Sequence, residues 1–189
     1  HDGATVKNTG SFSSMIENGY NSYNSGNARS GYLSGTNAAN PTLVIEGGEF
    51  VGGLNTVKND DGGKLYIHGG SFSNSAQAAV LNWNVTEITG GNFEVTTKYA
   101  VVLNGKNTGN TYNGEVLNQG NLSITGGSFT APKGTPVIEG METNTDMSDV
   151  KVSGGTFSSN VTNFVVKGAE VYEDENGNFG IRPAQGSAV

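Results

Sequence analysis

A short pattern of apolar and polar residues recurs along the chain, and its spacing is the main feature of the sequence. Each copy alternates inward and outward positions, continues with a glycine pair, and has a phenylalanine two positions beyond that pair. The five copies read LVIEGGEF, LYIHGGSF, TEITGGNF, LSITGGSF and VKVSGGTF, with the first glycines at Gly47, Gly69, Gly90, Gly126 and Gly154. Their separations of 22, 21, 36 and 28 residues predict a period of about 22, with insertions around residues 105–119 and 141–149.

A second phrase recurs in phase with the first. It reads TVKND, AVLNWN and VVLNG, with Asn59, Asn82 and Asn104 at equivalent positions, and EVLNQG and PVIEG are looser versions. SMIENGY, which places Gly19 before an aromatic residue, is interpreted as a weak copy of the first phrase. Each unit therefore contains short alternating runs separated by glycine or asparagine corners, which is typical of strands and tight turns.

Alternation with a period of two residues predicts β-strands, and glycine permits a bend with positive φ. The residues expected to face inward are Leu43 and Ile45, Leu65 and Ile67, Thr86 and Ile88, Leu122 and Ile124, and Val150 and Val152. The phenylalanines at one phase of the repeat are Phe50, Phe72, Phe93, Phe129 and Phe157. We expect these rings to form one column, and the asparagines to form another whose amides bond to one another.

Short strands, glycine corners and this period predict an all-β parallel β-helix, with rungs of about 22 residues rising about 4.8 Å each. One rung cannot bury its apolar face alone, so the unit must repeat. The alternatives are an antiparallel sandwich, which does not require corners in phase, and a left-handed coil, whose hexapeptide period is missing. We divide the chain into an N-terminal cap or degenerate rungs with a polar loop (1–42), β-helix rungs (43–160) and a C-terminal cap and tail (161–189).

The tail has a different pattern. AEVYEDENGNFGIRP, residues 169–183, predicts a hairpin because two apolar runs flank the turn sequence ENG. Exposed strand edges at the end of a stack pair with other chains unless they are covered. We therefore expect a C-terminal hairpin cap, with Phe164, Val165, Val166 and Phe179 covering the last rung.

Composition restricts the classes of function. The formal net charge of -7 and the pI near 4.7 argue against nucleic-acid binding, which needs clustered Lys and Arg. No run approaches the roughly 20 apolar residues that span a bilayer, so no membrane insertion is expected. The chain has no cysteine, which excludes disulfides and thiolate metal sites. We expect no cofactor and no metal.

The phrases LVIEGGEF, LYIHGGSF, LSITGGSF and VKVSGGTF resemble the I-x-G-G-x-F repeats of right-handed parallel β-helix regions in surface proteins of Gram-positive bacteria. This pectate-lyase-like resemblance covers about residues 43–181. It implies a right-handed coil and a non-enzymatic extracellular module, secreted or on the cell surface. The module would be adhesive, binding a glycan or a host-surface protein, or would be a structural spacer.

Two other functions stay open. The wider β-helix class includes pectate lyases, polygalacturonases and phage tailspikes, so one alternative is a polysaccharide-active enzyme or a phage fibre component on the virion surface. The other alternative is a structural protein that self-associates through the ends or sides of the coil.

The sequence contains no convergent catalytic set, and we predict that the chain is not an enzyme. Glu46 and His68 lie one period apart and would occupy adjacent rungs, where we interpret them as solvated outward residues. Asp60 and Asp61 could bind a cation, but DDGG is also an ordinary turn sequence, which is the interpretation we favour. DENGN begins like a calcium-binding loop, yet Phe179 replaces the glycine that such a loop requires.

Aromatic residues outside the repeat phase are the candidate ligand-binding residues. Trp83 follows an asparagine corner, Tyr66 points outward by alternation, and Tyr112 lies in the long insertion. With His68 they form the predicted ligand-binding set, because exposed rings stack on sugars or contact protein partners. The alternative for Trp83 is that it covers its neighbouring loop. A tyrosine-rich stretch is interpreted as an adhesive loop or as a cover for the first rung: Tyr20, Tyr23 and Tyr32.

Overall fold

The structure, a computed structural model, describes residues 3–19, 41–112 and 114–186. Within these ranges every regular element is a β-strand, except for one 3-10 turn at Thr162–Phe164. The strands, numbered β1 to β20 in chain order, form three larger sheets and one separate hairpin. The all-β class and the parallel arrangement of strands are therefore confirmed.

The three sheets each collect strands from successive repeats. Sheet 1 contains, in spatial order, β1 (Thr5–Asn8), β4 (Glu49–Gly52), β7 (Ser71–Asn74), β10 (Asn92–Val95), β15 (Ser128–Thr130), β18 (Thr156–Phe157), β20 (Phe179–Pro183) and β19 (Ala169–Glu173). Sheet 2 contains β16 (Ile138–Gly140), β11 (Val102–Asn104), β8 (Ala78–Asn82), β5 (Asn55–Asn59) and β2 (Ile16–Asn18). Sheet 3 contains β17 (Val150–Val152), β14 (Asn121–Ile124), β9 (Val85–Ile88), β6 (Lys64–Ile67) and β3 (Thr42–Ile45).

The order of the chain through the sheets explains the repeated phrases. From β4 onward the chain visits sheet 1, sheet 2 and sheet 3 and then returns to sheet 1 beside the strand it formed before. Neighbouring strands from successive repeats run parallel in every sheet, and equivalent residues pair, as Phe72 does with Phe93 and Val80 with Val102. The long insertion forms the antiparallel hairpin of β12 (Asn107–Tyr112) and β13 (Glu115–Asn118).

A column of stacked phenylalanines lies in the core, as the spacing predicted. Successive ring centroids lie 4.8–5.1 Å apart with interplanar angles of 5–11°. Phe50 at the end of the column is half-buried, whereas the four other rings are almost fully buried. Each buried ring contributes about 1.5–3 kcal/mol through removal of apolar area from water. The apolar residues predicted to face inward on sheet 3 also line this core.

The two glycines of each pair have different physical roles. A Cβ at Gly90 would lie 2.4 Å from the carbonyl oxygen of His68 in the preceding row, so this position needs a residue without a side chain. Gly91 has a φ of +107°, a conformation that L-residues with side chains rarely adopt. The first glycine therefore permits close stacking of the rows, and the second permits the bend.

The predicted asparagine column is confirmed and extends one row further than expected. Nδ2 of Asn18 donates to Oδ1 of Asn59 at 2.9 Å, and Nδ2 of Asn59 donates to Oδ1 of Asn82 at 3.0 Å. Nδ2 of Asn82 donates in turn to Oδ1 of Asn104 at 2.7 Å. All four side chains are buried, so the ladder satisfies polar groups that would be costly to leave unpaired.

Two assignments of the repeated phrases are corrected. SMIENGY belongs to the second phrase, because β2 pairs with β5 in sheet 2 and Asn18 continues the asparagine column. EVLNQG is not a copy of that phrase, because β13 pairs with β12 in the separate hairpin, to which the insertion supplies both strands. PVIEG is assigned correctly, since Ile138 pairs with Val102 in sheet 2.

The C-terminal hairpin is confirmed. β19 and β20 pair antiparallel, and β20 pairs antiparallel with β18, where Phe179 lies opposite Phe157. Phe164, Val165 and Phe179 pack against the core, and the backbone N–H of Val166 donates to the carbonyl of the last strand of sheet 3 at 3.0 Å.

Candidate functional site

Glu46 and His68 are brought together on the outer side of sheet 3. Each follows an inward-facing isoleucine at the end of its strand, and the N–H of His68 donates to the carbonyl of Ile45 at 2.9 Å. Nδ1 of His68 lies 3.0 Å from Oε2 of Glu46, and the two side chains are 43% and 75% exposed. An exposed pair of this kind contributes at most about 1 kcal/mol to stability, so little free energy is lost if a ligand replaces the contact. Because both side chains are exposed, both can hydrogen-bond a ligand.

Tyr66 shares this outer face of sheet 3. It pairs with Val44 in one neighbouring strand and Glu87 in the other. Tyr66 and His68 are two residues apart and so point to the same side of the sheet. The half-buried tyrosine ring and the His68–Glu46 pair thus form one surface with an aromatic and a polar part.

Trp83 packs on the neighbouring corner, as its alternative interpretation predicted. A Cβ at Gly105 would lie 2.2 Å from Cε3 of the Trp83 ring, so the ring lies directly over that glycine. Trp83 also packs against a buried apolar cluster on the outer side of sheet 2: Ala78, Leu81, Ala100 and Leu103. A ligand-binding role for the half-buried ring stays a prediction.

The remaining aromatic candidates lie elsewhere. Tyr112 belongs to β12 of the separate hairpin, where its backbone pairs with Glu115. Tyr20, Tyr23 and Tyr32 lie outside the described residues. The predicted ligand-binding residues are thus distributed over sheet 3, the outer side of sheet 2 and the hairpin.

Asp60 and Asp61 form a turn, as favoured, but both carboxylates are buried. The N–H of Gly63 donates to the carbonyl of Asp60 at 2.9 Å, which closes the turn. Oδ2 of Asp60 lies 2.5 Å from Nζ of Lys58. Burial disfavours the charge of Lys58, but Asp60 and Glu17 outweigh that effect and raise the lysine pKa. Burial also raises the pKa of Glu17, and Lys58 opposes this shift.

Asp61 holds the hairpin against the stack. Its two carboxylate oxygens accept from Nδ2 of Asn118 at 2.5 Å and Nδ2 of Asn110 at 3.0 Å. The N–H of Gly62 also donates to the carbonyl of Leu117 at 2.8 Å. The described residues contain no group of three or more His, Asp or Glu side chains arranged to hold a metal ion.

The DENGN segment is a turn, as expected. The carboxylate of Asp174 accepts the backbone N–H groups of Asn176 and Asn178, both at 2.9 Å. These bonds, chiefly the one from Asn178, lower the pKa of Asp174. Oδ1 of Asp174 thus closes the turn of the β19–β20 hairpin.

A cleft of about 430 Å³ that sequence reasoning missed lies on the outer side of β11 and β16. Tyr99 lines it together with residues of the insertion at 141–149. Tyr99 lies outside the repeat phase, which is the criterion that selected Trp83 and would also have selected Tyr99. The contribution of the insertion had no comparable signal, because its residues belong to no repeated phrase.

Comparison of the chain with known protein families, with curated proteins and with solved structures finds no match. Within the described ranges, no helix has the length and apolar character needed to cross a membrane.

Proposed function

We propose that the chain is a right-handed parallel β-helix with turns of about 22 residues and a C-terminal hairpin that caps the last turn. The repeated visit to three sheets in fixed order supports a coil, as does the pairing of Phe50 with Phe72 and of Phe72 with Phe93. Right-handedness is supported by the strong preference for right-handed crossovers between parallel strands of one sheet. The resemblance to I-x-G-G-x-F repeats also implies a right-handed coil.

On this scaffold we propose a non-enzymatic extracellular module of a bacterial surface protein, secreted or on the cell surface, that binds a glycan or a host-surface protein. The observation that carries this proposal is the continuous Phe and Asn stacking, which places the repeated residues inside. Outer side chains such as Tyr66 and His68 are then free to vary without disturbing the core. A rigid stack with variable outer sides suits a module that displays binding residues or acts as a spacer.

The test is binding of the whole chain to a glycan array and to immobilised host-surface proteins. Binding that weakens in a Tyr66→Ala or His68→Ala variant would assign the interaction to the outer face of sheet 3. Tyr172→Ala, on the C-terminal hairpin, is the control for loss of a tyrosine side chain at another place on the surface. A clean negative at high protein concentration would leave only the spacer role.

The enzymatic and phage-fibre alternatives depend on Glu46 and His68. Their side chains contact each other at 3.0 Å on an open, solvated face, whereas acid–base catalysis on a sugar needs groups on both sides of the bond to be cleaved. Activity on pectin, alginate or capsule preparations that is lost in Glu46→Gln and His68→Ala would favour these alternatives over the adhesive module.

Self-association is the second candidate, and the N-terminal end of the stack favours it. β1, β2 and β3 are the outermost strands of the three sheets, and no other strand of the described ranges pairs with their outer edges. Such edges can pair with another chain. Sedimentation velocity over a range of concentrations would reveal end-to-end assembly, and a constant monomer would argue against it.

A further inference from the structure

The cleft beside Tyr99 has the size of a ligand site and lies on sheet 2, whereas Tyr66 and His68 lie on sheet 3. Its volume of about 430 Å³ falls in the range of roughly 300–1,000 Å³ that small-molecule sites occupy. Buried Leu103 forms part of its floor. Glu139 is the partner of Leu103 in the neighbouring strand, and it is exposed beside the cleft. Tyr99, Met141 and Glu142 also line the cleft.

The wall that carries Tyr99 is held in place by a threonine. The backbone N–H of Tyr99 donates to Oγ1 of Thr97 at 3.1 Å, and that hydroxyl donates to the carbonyl of Gln77 at 2.9 Å. Gln77 lies in the preceding row and lines the same cleft. Two successive rows are therefore tied together at the site, which fixes the backbone that carries the ring.

The opposite wall, residues 140–147, is also held by hydrogen bonds and close packing. The N–H of Glu142 donates to Oγ1 of Thr145 at 3.0 Å, and the N–H of Thr145 donates back to the carbonyl of Glu142 at 3.0 Å. A Cβ at Gly140 would lie 2.8 Å from Cβ of Thr145, so the turn packs closely on the strand end. A cleft with both walls fixed loses little conformational entropy on binding.

The groups at the cleft favour a ligand with hydroxyl donors, an apolar face and no negative charge. Tyr99 is 37% exposed, and Nζ of Lys98 lies over its ring, 5.5 Å from the ring centroid. Glu139 and Glu142 form no ion pair with any described residue. Carboxylates accept hydrogen bonds from hydroxyls but repel anions. The negative face of an aromatic ring attracts the partly positive hydrogens of C–H groups.

We propose that this cleft binds a neutral sugar residue of a glycan, stacked on Tyr99 with hydroxyls donating to Glu139 and Glu142. Uronic and sialic acids are excluded by the two carboxylates. The proposal rests on the adhesive function proposed above and names the class of ligand and its site. It also predicts that the module does not bind pectin or alginate, the acidic polymers of the enzymatic alternative.

The experiment titrates the whole chain with neutral oligosaccharides of glucose, galactose, mannose or N-acetylglucosamine, and separately with oligogalacturonate, by isothermal calorimetry. At least one neutral oligosaccharide should bind, and Tyr99→Ala should raise its Kd about tenfold, which corresponds to about 1.4 kcal/mol. Tyr99→Phe should retain binding because it keeps the ring. Glu142→Gln should weaken neutral sugar binding and allow some binding of oligogalacturonate, because it removes one negative charge.

Tyr172→Ala is the matched control. Tyr172 is 40% exposed and has Arg182 over its ring at 5.6 Å from the centroid, as Tyr99 has Lys98, but it lies on the C-terminal hairpin. It should leave the Kd unchanged, and circular dichroism should show that every variant is folded. Neutral sugar binding that is unaffected by Tyr99→Ala would overturn the cleft while the adhesive function stands. Preferential binding of oligogalacturonate would overturn the ligand class, and binding of no sugar at millimolar concentration would overturn glycan binding altogether.

Discussion

The first glycine of each pair provides a direct test of the stacking, because the same position is crowded in one row and open in another. A Cβ at Gly90 would lie 2.4 Å from the carbonyl oxygen of His68, whereas a Cβ at Gly47 would have no atom of the described residues within 4 Å. Neither glycine has a positive φ. Gly90→Ala and Gly47→Ala are therefore the same change at the same phase of the repeat. Among the described strands, sheet 3 has a strand before that of Gly90 but none before that of Gly47.

The expected difference follows from two effects. Both substitutions reduce the conformational entropy of the unfolded chain, which stabilises a protein by about 0.4–1 kcal/mol where the native backbone accepts alanine. Gly90→Ala must also displace the backbone of the preceding row, which costs roughly 1–3 kcal/mol. The entropic effect cancels in the comparison. Because each kcal/mol shifts Tm by about 2–4 °C in a chain of this size, Gly90→Ala should unfold about 2–12 °C below Gly47→Ala.

The assay is thermal unfolding followed by circular dichroism, supported by urea titrations that compare the free energies of unfolding. Gly126→Ala is a second test, since its Cβ would lie 2.3 Å from the carbonyl oxygen of Thr89. Equal Tm values for Gly90→Ala and Gly47→Ala would refute the reasoning, because the carbonyl of His68 could not then lie beneath Gly90.

Three further changes test the core, the asparagine column and the acid response. Phe93→Ala should lower the free energy of unfolding by about 3–5 kcal/mol in urea, and Phe50→Ala by less, because Phe50 is half-buried and has one stacked neighbour. Asn82→Ala should cost about 1–3 kcal/mol for each buried partner left unpaired, also measured in urea. Lys106, through its hydrogen bond, lowers the pKa of Asp146 from its usual 3.8. That stabilisation is complete above the unfolded-state pKa and is lost as pH falls through the folded-state pKa, so the Tm advantage over Asp146→Asn should shrink only in acid.

The contrary results are equally specific. Equal losses for Phe93→Ala and Phe50→Ala would contradict a column with a buried middle and an exposed end. An Asn82→Ala variant as stable as the original chain would contradict the buried amide ladder. A Tm difference for Asp146→Asn that does not shrink at all as pH falls below 3.8 would contradict a contribution from the ionised carboxylate.

Much of the arrangement of strands could be predicted from the spacing of residues. When a unit repeats at a fixed interval, stacking like residues on like satisfies every row at once, so Phe72 beside Phe93 and Asn59 beside Asn82 follow from position alone. Alternation likewise predicted that Ile67 faces inward, and the adjacency of Glu46 and His68 follows from their separation by one period.

The candidate sites were less predictable, because their contacts do not follow the repeat. Asp61 was recognised as a turn residue, but its burial depends on Asn110 and Asn118, which the insertion places against it. Trp83 was recognised as out of phase, but its packing depends on Gly105 in the next row. Tyr99 lines a cleft only because the second insertion supplies the opposite wall.

The sequence by itself therefore determined the all-β class, the pairing of repeated residues and the two columns in the core, because a periodic chain has periodic contacts. Only the tertiary structure decided where the insertions lie, which carboxylates are buried and which aromatic rings border a cleft. Those features come from contacts between segments of unrelated sequence, and no spacing along the chain specifies such contacts.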